Sequence, residues 1–401
     1  MIRRILFWLC VFSGLTASAQ STLSLGEATE LVLENDIRLI PGKTGLKISQ
    51  LKQNQSVVWD DPEIRFETGI DSKDHSVDTA VRLRFPHPWQ LQADSMERAS
   101  QTAISLAGME MGRIQIATEV FQQYRNFQCL EKELALIRRL IEIKQKRSDF
   151  AREQVNAAMK TSADALLLRW ELRDVQRDAR VLQRELGLLK NWFAERVARP
   201  VESLQLDPLP DLEMPDFIDY DIAIQFALEL RPDLHLMNAQ LQQAQALVRQ
   251  ADVERIPWFN HVQASYDESS EEWSIQTAVS LPIFSFGGSK KRQALAEQTL
   301  QKASIDASQD AIARQVQQAA REWTSAIEEW QMHHGEFVEL TGETGKEVEM
   351  LRKYVAGAPD DWMRLQENLI RAERQLLDVR RNVHAAHANY LFTTGQTLIQ
   401  E

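Results

Sequence analysis

The sequence predicts a mainly α-helical protein with a small β part, built as a tandem duplication. Long stretches place apolar residues at alternating steps of four and three, the 3.5-residue period of coiled-coil helices. Two short segments instead alternate apolar and polar residues, which is typical of strands with one apolar and one polar face. Both patterns recur in the same order in each half. A shift of 195 positions places Pro62 on Pro257, and each of these prolines precedes a pair of strands.

Composition and charge exclude several classes of protein. The chain has 401 residues, a formal net charge of −12 and 44% hydrophobic residues. The acidic balance argues against nucleic acid as the main partner, because phosphate binding relies on positively charged surfaces. Outside the N-terminus the chain has no run of ~18 apolar residues, so we do not expect membrane-spanning helices.

The first 19 residues have the three parts of a signal peptide. Arg3 and Arg4 form a basic region, residues 5–15 form a short apolar core, and Ala17-Ser18-Ala19 supplies small residues for cleavage. We therefore expect an exported chain that is cleaved after Ala19. A membrane anchor is the alternative, and it is disfavoured because the apolar run is too short to span a bilayer.

Neither cysteine is expected to form an internal disulfide. Cys10 lies within the apolar core of the signal peptide and does not follow a lipobox, so no lipid anchor is predicted. Cleavage leaves Cys129 as the single cysteine of the mature chain, and a single thiol has no partner within that chain. We expect Cys129 to be buried on a helix, in a structural role.

Residues 20–197 form the predicted first repeat. Short helices over residues 24–36 and 42–58 precede a hairpin over residues 63–85, and a long helix follows from about residue 90 to residue 150. The return helix then has a heptad seam, formed by Leu168, Leu172, Val175, Ala179, Leu182, Leu186, Leu189 and Phe193. An ordinary core-facing helix is the alternative, but the unbroken spacing favours a coiled coil.

Residues 198–219 are rich in proline and acidic residues and are predicted to link two repeats. The second repeat, residues 220–401, again begins with short helices. A hairpin over residues 261–284 and a long helix over residues 289–354 follow them. The seam of the second return helix is formed by Trp362, Leu365, Leu369, Ala372, Leu376, Val379, Val383, Ala386 and Tyr390. The chain is therefore predicted to repeat the order helix, hairpin, long helix, long helix.

The four strands of one chain are too few to close a barrel, since small barrels need about eight. A sheet with a lipid-facing side must close, because unpaired backbone groups are costly in hydrocarbon. Closure therefore requires several copies of the chain. Two copies would give eight strands around packed side chains, and three would give twelve strands around a water-filled lumen. We favour three, because charges on the polar faces would be costly in lipid. The residues expected to face the lumen are Arg65, Glu67, Asp78, Arg82 and Arg84.

The long helices are too polar to enter the same membrane, so we expect them to extend tens of ångströms into the aqueous compartment. Such a tube would conduct a solute without transforming it. The sequence has no glycine-rich phosphate loop, nucleophile elbow or triad spacing, so we expect neither an enzyme nor a cofactor. Metal binding by His333, His334, His384 and His387 is conceivable. Packed or solvated histidines are favoured, because no cluster of cysteines or carboxylates completes a site.

Four short motifs stand at the boundaries of the predicted elements. They are Arg231-Pro232-Asp233-Leu234 before a helix, Ile256-Pro257 before the third strand, Ser280-Leu281-Pro282-Ile283-Phe284 closing the fourth, and Tyr354-Val355-Ala356-Gly357 at a turn. As a set, they resemble the motifs of the TolC-type outer-membrane efflux factors. The resemblance covers the whole mature chain, with the duplication in the same order. It implies a homotrimer with a twelve-stranded barrel in the outer membrane and a twelve-helix barrel in the periplasm. It also implies two partners, a periplasmic adaptor protein and an inner-membrane transporter of the RND or ABC type.

The resemblance also implies a gate at the periplasmic turn of the second repeat. In the family a tyrosine just before the turn glycine helps to hold this end closed, and Tyr354 matches it. Acidic residues after the turn line the constriction. Asp361 matches the first of them, with Asp360 beside it, and Arg364 stands where the family has a second acid. Three copies of Asp361 around one axis would repel one another and attract cations. Asp360 could instead cap the following helix, and both roles stay open.

The expected function is the passive exit duct of a tripartite efflux pump that exports small molecules or metal ions. A second hypothesis is that the same duct serves protein export in a type I secretion system, beside an ATP-driven transporter. A third is a periplasmic coiled-coil structural or adaptor protein without a channel. The paired amphipathic hairpins disfavour the third hypothesis, because an adaptor does not need lipid-facing strands.

Overall fold

The structure is a computed structural model that describes residues 22–55, 61–70, 75–201, 204–212, 218–267, 271–281, 288–354 and 359–396. The predicted signal peptide, parts of the linker, Pro282–Phe284 and the turn at residues 355–358 lie outside these ranges. The described side chains also exclude those of residues 67–70, 75–78, 348, 351–354 and 359. As the sequence predicts, the described part is mostly α-helical with a small antiparallel sheet.

The described residues form eight α-helices. They are α1 (Leu25–Asn35), α2 (Ile40–Gln53), α3 (Pro88–Asn156), α4 (Ser162–Val197), α5 (Tyr220–Leu230), α6 (Pro232–Val253), α7 (Ser289–Tyr354) and α8 (Pro359–Thr394). The second short helix was expected to begin at residue 42, but α2 begins at Ile40, so Pro41 lies in its first turn. Proline is tolerated there, because the N–H that it lacks would have no partner within the helix. No helix in the described ranges is both long enough and apolar enough to cross a membrane.

The chain divides into two compact units, and each unit takes segments from both predicted repeats. The first, which we call the sheet unit, comprises residues 38–113 and 228–313. Its strands are β1 (Glu63–Ile70), β2 (His75–Arg84), β3 (Trp258–Asp267) and β4 (Glu272–Ser280). They form one antiparallel sheet in the order β1-β2-β3-β4. The β2–β3 pair therefore joins the two predicted hairpins into a single sheet.

The register of the sheet keeps the predicted alternation in phase across all four strands. Residues that lie directly opposite each other in an antiparallel pair point to the same face. One row across the sheet contains Ile64, Val81, Ala264 and Ile275, and the next row contains Arg65, Ala80, Ser265 and Ser274. The sheet thus has one continuous apolar face and one continuous polar face.

The second unit, which we call the helical unit, takes its residues from segments 1–37, 114–227 and 314–401. Its largest fully buried side chains include Tyr124, Phe121 and Phe127 on α3. The Tyr124 hydroxyl donates to the Leu23 carbonyl (2.7 Å) and accepts from the Asp207 N–H (3.1 Å). Leu23 also forms a parallel bridge with Leu206. The described part of the linker is therefore anchored to the core of this unit.

The heptad seam predicted for the first return helix is buried in α4. Its buried members are Leu172, Ala179, Leu182, Leu186 and Phe193. The helix begins at a capping box, in which Thr161 and Asp164 each accept a hydrogen bond from the other's backbone N–H. A local signal thus starts the helix, and the apolar seam fixes which face it buries.

Helix α8 has two packing faces, of which the sequence pattern predicted one. Val383, Ala386 and Tyr390 of the predicted seam pack against Trp323 and Ile327 of α7. A second heptad row runs beside this seam. It contains Met363, Glu367, Ile370, Arg374, Leu377, Arg381, His384 and Ala388, which are buried or half-buried. The prediction missed this row because half of its members are polar.

Candidate functional site

The apolar face of the sheet is exposed in the single chain. The exposed fractions are 75% for Trp273, 76% for Ile275 and 69% for Phe66. Ile64 and Val279, on the same face, are also more than half exposed. Continuous apolar surfaces of this kind mark contacts with a membrane or another protein. This apolar face is therefore a candidate contact surface for a membrane or another protein.

The polar face carries an ion-pair network that begins at the edge strand β1. Glu63 accepts from Arg65 (3.1 Å) and pairs with Arg84 on β2 (2.6 Å). Arg82 donates through two guanidinium nitrogens to the amide oxygen of Gln263 on β3, at 2.9 and 2.6 Å. Three of the five residues predicted to line a lumen thus lie on one face. This face can hold water and ions, since its groups are charged and partly exposed.

Glu67 and Asp78, the other two predicted lumen residues, lie opposite each other in the β1–β2 pair. Alternation along β1 places Glu67 on the same face as Arg65, and alternation along β2 places Asp78 on the same face as Arg82. Their side chains lie outside the described atoms. All five positions therefore belong to the polar face by backbone register.

The predicted gate residues lie at the facing ends of α7 and α8. Tyr354 is the last residue of α7, and its side chain is not among those described. Asp360 and Asp361 lie in the first turn of α8. Because α8 starts at Pro359, Asp360 lies inside the helix and does not precede it as a cap would. Asp361 is exposed, and Arg364 follows one turn later.

Asp360 is held by three cations in the helical unit. Its carboxylate accepts from Arg147 Nε of α3 (2.8 Å), lies 3.6 Å from Lys160 Nζ and 3.3 Å from Arg364. Burial disfavours the charged carboxylate, but the hydrogen bond from Arg147 and the three positive charges outweigh this effect. The pKa of Asp360 therefore lies below its usual range. The ion pairs join the start of α8 to α3 and to the turn after it.

A buried ion cluster continues this contact deeper into the helical unit. Lys144 of α3 lies between Glu171 of α4 (2.7 Å) and Glu367 of α8 (3.1 Å). Arg147 donates to the other oxygen of Glu367 (2.9 Å). The side chains of Lys144, Arg147 and Glu367 are only 4–9% exposed, so each charge depends on its partners. Removal of one partner from such a buried set costs about 3–5 kcal/mol.

The sequence interpretation did not identify this cluster. Glu367 belongs to the second heptad row of α8, between the apolar positions Met363 and Ile370. A search limited to apolar residues overlooks such a position. The available signal was the heptad spacing of a charged residue within an otherwise buried row, together with the basic segment around Lys144 and Arg147 on α3.

Three of the four histidines considered as metal ligands are packed against aromatic rings. One of them, His334, stacks on Trp330, with 4.5 Å between ring centroids. His387 stacks on Trp323, with 4.3 Å between ring centroids, and His384 accepts from Arg380 Nε (3.4 Å). Burial, with a smaller effect of Arg125, lowers the pKa of His384 to about 3 and that of His387 to about 4. Among the described residues no group of three or more metal-binding side chains is positioned to hold an ion.

Cys129 is fully buried on α3, as expected. Burial raises the pKa of its thiol, which therefore stays protonated at neutral pH. Near it, Glu133 of α3 binds Arg374 (2.6 Å) and Arg381 of α8. These contacts are a second polar link between α3 and α8, and their residues were also absent from the sequence interpretation.

No protein-family model matches the sequence, and no curated protein matches it. Solved structures do match over nearly the whole chain. CusC, described for its transmembrane channel formation, has a TM-score of 0.74 at 14% identity, covering 93% of this chain and 92% of that one. The open MtrE outer-membrane channel of Neisseria gonorrhoeae has a TM-score of 0.69 at 15% identity, with 93% and 89% covered.

The outer-membrane protein VceC of Vibrio cholerae is similar to the same extent. Its TM-score is 0.71 at 13% identity, and 93% of this chain and 96% of that chain are covered. At identities this low, the similarity concerns the fold and not the biochemical activity. Together with the in-phase sheet and the paired long helices, these structural matches establish that this chain has the fold of the TolC-type outer-membrane channels, which its motifs resemble.

Proposed function

We propose that the chain is the outer-membrane duct of an efflux system, assembled as a homotrimer. The observation that carries the proposal is the register between β2 and β3, because it aligns the apolar faces of two separate hairpins. A soluble sheet would cover such a face with its own helices or loops. Here Trp273 and Ile275 are about three-quarters exposed, which supports a lipid-facing role.

The open edges of the sheet support assembly from several copies. Strand β1 pairs with β2 alone and β4 with β3 alone within the described residues. In hydrocarbon an unpaired edge leaves several costly backbone groups, so β1 of one copy should pair with β4 of the next. Three copies then give twelve strands and a lumen wide enough for water. The polar face would line this lumen through Arg65, Glu67, Asp78, Arg82 and Arg84.

The tip of the duct would be formed by the ends of α7 and α8. In this proposal Tyr354 and Asp361 line the constriction. Asp360 holds the start of α8 through its ion pairs with Arg147, Lys160 and Arg364. The exposure of Asp361 and the triple pairing of Asp360 support this division of roles. Two neighbouring acids would thus act differently, one on permeating ions and one on helix position.

The duct would span the outer membrane, with its long helices in the periplasm after cleavage of residues 1–19. Residues 20–197 and 220–401 would be its two structural repeats, joined by the linker over residues 198–219. We further propose a periplasmic adaptor and an inner-membrane transporter of the RND or ABC type as partners. The cargo would be small molecules or metal ions, carried without enzymatic turnover.

Cysteine pairs on the edge strands test the assembly. We would combine Ile64→Cys on β1 with Trp273→Cys, Ile275→Cys or Thr277→Cys on β4, since all four positions lie on the apolar face. Oxidation of membranes, followed by alkylation of free thiols and denaturing electrophoresis, should give a covalent trimer for at least one combination. Each new disulfide would join neighbouring copies, because β1 and β4 are opposite edges of one sheet.

The matched control combines Ile64→Cys with Ser274→Cys. These side chains point to opposite faces of the sheet, so their Cβ atoms cannot reach disulfide distance. A soluble periplasmic product, or monomers in every combination, contradicts the duct. Cross-linked bands no larger than a dimer would indicate an assembly of two copies and contradict the trimer.

A further inference from the structure

The sheet unit contains a cavity where the strands meet the helices. Its volume is about 440 Å³, and Arg84, His87, Asp94, Glu254 and Trp258 are among its lining residues. It lies beside the irregularity of β3, where the pairing with β4 shifts between Phe259 and His261. Irregularities of this kind often re-aim side chains beside functional sites. The volume falls within the range of small-molecule sites, about 300–1,000 Å³.

His87 gives the cavity an unsatisfied hydrogen-bonding group. Its side chain contacts the rings of Trp258 and Trp89, with centroid distances of 4.6 and 5.1 Å. The residue is only 7% exposed, and neither ring nitrogen has a hydrogen-bond partner among the residues that the structure describes. Burial lowers the pKa of His87, so the ring is neutral and offers one donor and one acceptor. Buried polar atoms in proteins are nearly always hydrogen-bonded, so a ligand that bonds to these nitrogens would satisfy them.

The cavity is electrically polarised along α3. His87 precedes the first residue of α3, where the free N–H groups and the helix dipole favour electron-rich groups. Asp94 lies seven residues further along, about 10 Å in an α-helix. Its carboxylate accepts from the amide of Gln250 (3.1 Å), and no described cation forms an ion pair with it. By contrast, Arg84 is paired with Glu63, and Glu254 is paired with Lys290 (2.8 Å).

We propose that this cavity binds an organic amine with an aromatic or apolar body and a hydrogen-bonding group at its far end. The ammonium group would pair with Asp94, whose negative charge has no other cation. The far hydroxyl or carbonyl group would bond to His87 beside the start of α3. The body would lie along Trp258, whose ring position is fixed by its own N–H bond to the Phe85 carbonyl (3.1 Å).

The proposal stands on the cavity and does not require the chain to be a duct. A binding measurement on the purified protein therefore tests it without any transport assay. If the ligand binds and the trimer does not form, the site holds and the duct fails. If the trimer forms and no ligand binds, the site fails and the proposed duct stands.

Calorimetric titration of the purified full chain in detergent, with detergent-only blanks, provides the test. The probes are tyramine, tyrosol, which replaces the ammonium by a hydroxyl, and phenethylamine, which lacks the phenol hydroxyl. Tyramine should bind about tenfold more tightly than each of the other two, because each of them lacks one hydrogen bond that tyramine makes.

Two variants assign the ends of the ligand. Asp94→Asn keeps an acceptor for Gln250 and should remove the preference for tyramine over tyrosol. His87→Phe keeps an aromatic ring in contact with both indoles and should remove the preference over phenethylamine. Asp252→Asn, whose carboxylate binds Lys291 (2.7 Å), is the matched control and should change neither preference. Equal binding of the three probes, no binding of any, or a preference that survives its variant overturns the proposal.

Discussion

At the scale of single residues, the chain buries ionisable groups in two different ways. Glu367 is buried as an ion, between Lys144 and Arg147. His384 is buried as a neutral ring among aromatic and cationic neighbours. A carboxylate can be buried if cations replace its hydration, whereas an imidazole can avoid the cost by releasing its proton. The two solutions give different responses to pH.

The neutral state of His384 predicts that acid destabilises the helical unit. In the unfolded chain this group titrates near 6.5, and in the fold its pKa is about 3, so only the unfolded state takes up the proton between these values. The free energy of unfolding therefore falls as pH decreases through this window, by about 2 kcal/mol at pH 5. His384→Gln keeps an acceptor for Arg380 and should reduce the fall in unfolding temperature between pH 7 and pH 5.

The control for this experiment is His333→Gln, an exposed position on α7. It should retain the full acid dependence, measured at the same scan rate. Arg125, Arg380 and His387 also face His384, and they are unchanged in both variants. An equal fall for His384→Gln and the unaltered protein would contradict the neutral buried ring.

The pairing of Asp360 predicts a functional difference between two adjacent acids. Asp361 is exposed and Asp360 is neutralised by three cations, so Asp361 should dominate the electrostatic potential at the tip. In a reconstituted channel, Asp361→Ala should weaken block by divalent cations about tenfold, if three carboxylates contribute to one ion site. Asp306→Ala, an exposed acid in the first third of α7 and far from its end at Tyr354, should leave the block unchanged. Unaltered block in Asp361→Ala would remove Asp361 from the constriction.

At the scale of elements, the sheet and α8 follow different rules for choosing a buried face. In the sheet, side chains alternate with a period of two, so a slip of one residue would exchange the two faces. The register avoids this by pairing Val81 with Ala264 between the hairpins. In α8, two heptad rows are buried at once, one against α7 and one against α3. A helix can therefore bury charge beside an apolar seam, provided that a neighbouring helix supplies the opposite charge.

The two faces of β4 predict opposite tolerance to charge at adjacent positions. Ile275 lies on the apolar face and Gln276 on the polar face. Ile275→Arg should cost up to about 2–4 kcal/mol in the membrane, whereas Gln276→Arg adds one more charge to a wet surface and should cost little. The measurement is the fraction of protein recovered as assembled oligomer in the outer-membrane fraction. Equal recovery of the two variants would show that the apolar face does not meet lipid.

At the scale of the whole molecule, the duplication doubles the number of strands in the sheet. One hairpin cannot make a stable sheet in isolation, and two hairpins from repeated halves make four strands with two open edges. In the proposed assembly, these edges pair with further copies of the chain. The repeats are mixed in space as well, since each compact unit takes segments from both halves. Folding of either half alone would leave β2 or β3 without its partner.

Much of the secondary structure could be predicted from the sequence, because its periodicities are local. The α7 bounds of residues 289–354 and the start of β1 at Glu63 agree with the prediction. The α4 seam and the burial of Cys129 agree as well. The polar-face positions of Arg65, Arg82 and Arg84 follow from the same alternation. The roles of the lumen and gate residues stay predictions that the experiments above test.

The sequence by itself thus determined which segments are helices and strands and which face of each is apolar, because these properties depend on residues only a few positions apart. Only the tertiary structure decided which elements meet. It paired β2 with β3, placed Glu367 between Lys144 and Arg147, and enclosed His87 beside Trp258. In each of these contacts the partners are more than 170 positions apart in the sequence. Lys144 and Arg147 themselves lie on the same helix. Their contacts arise from long-range packing and charge pairing, which local periodicity does not encode.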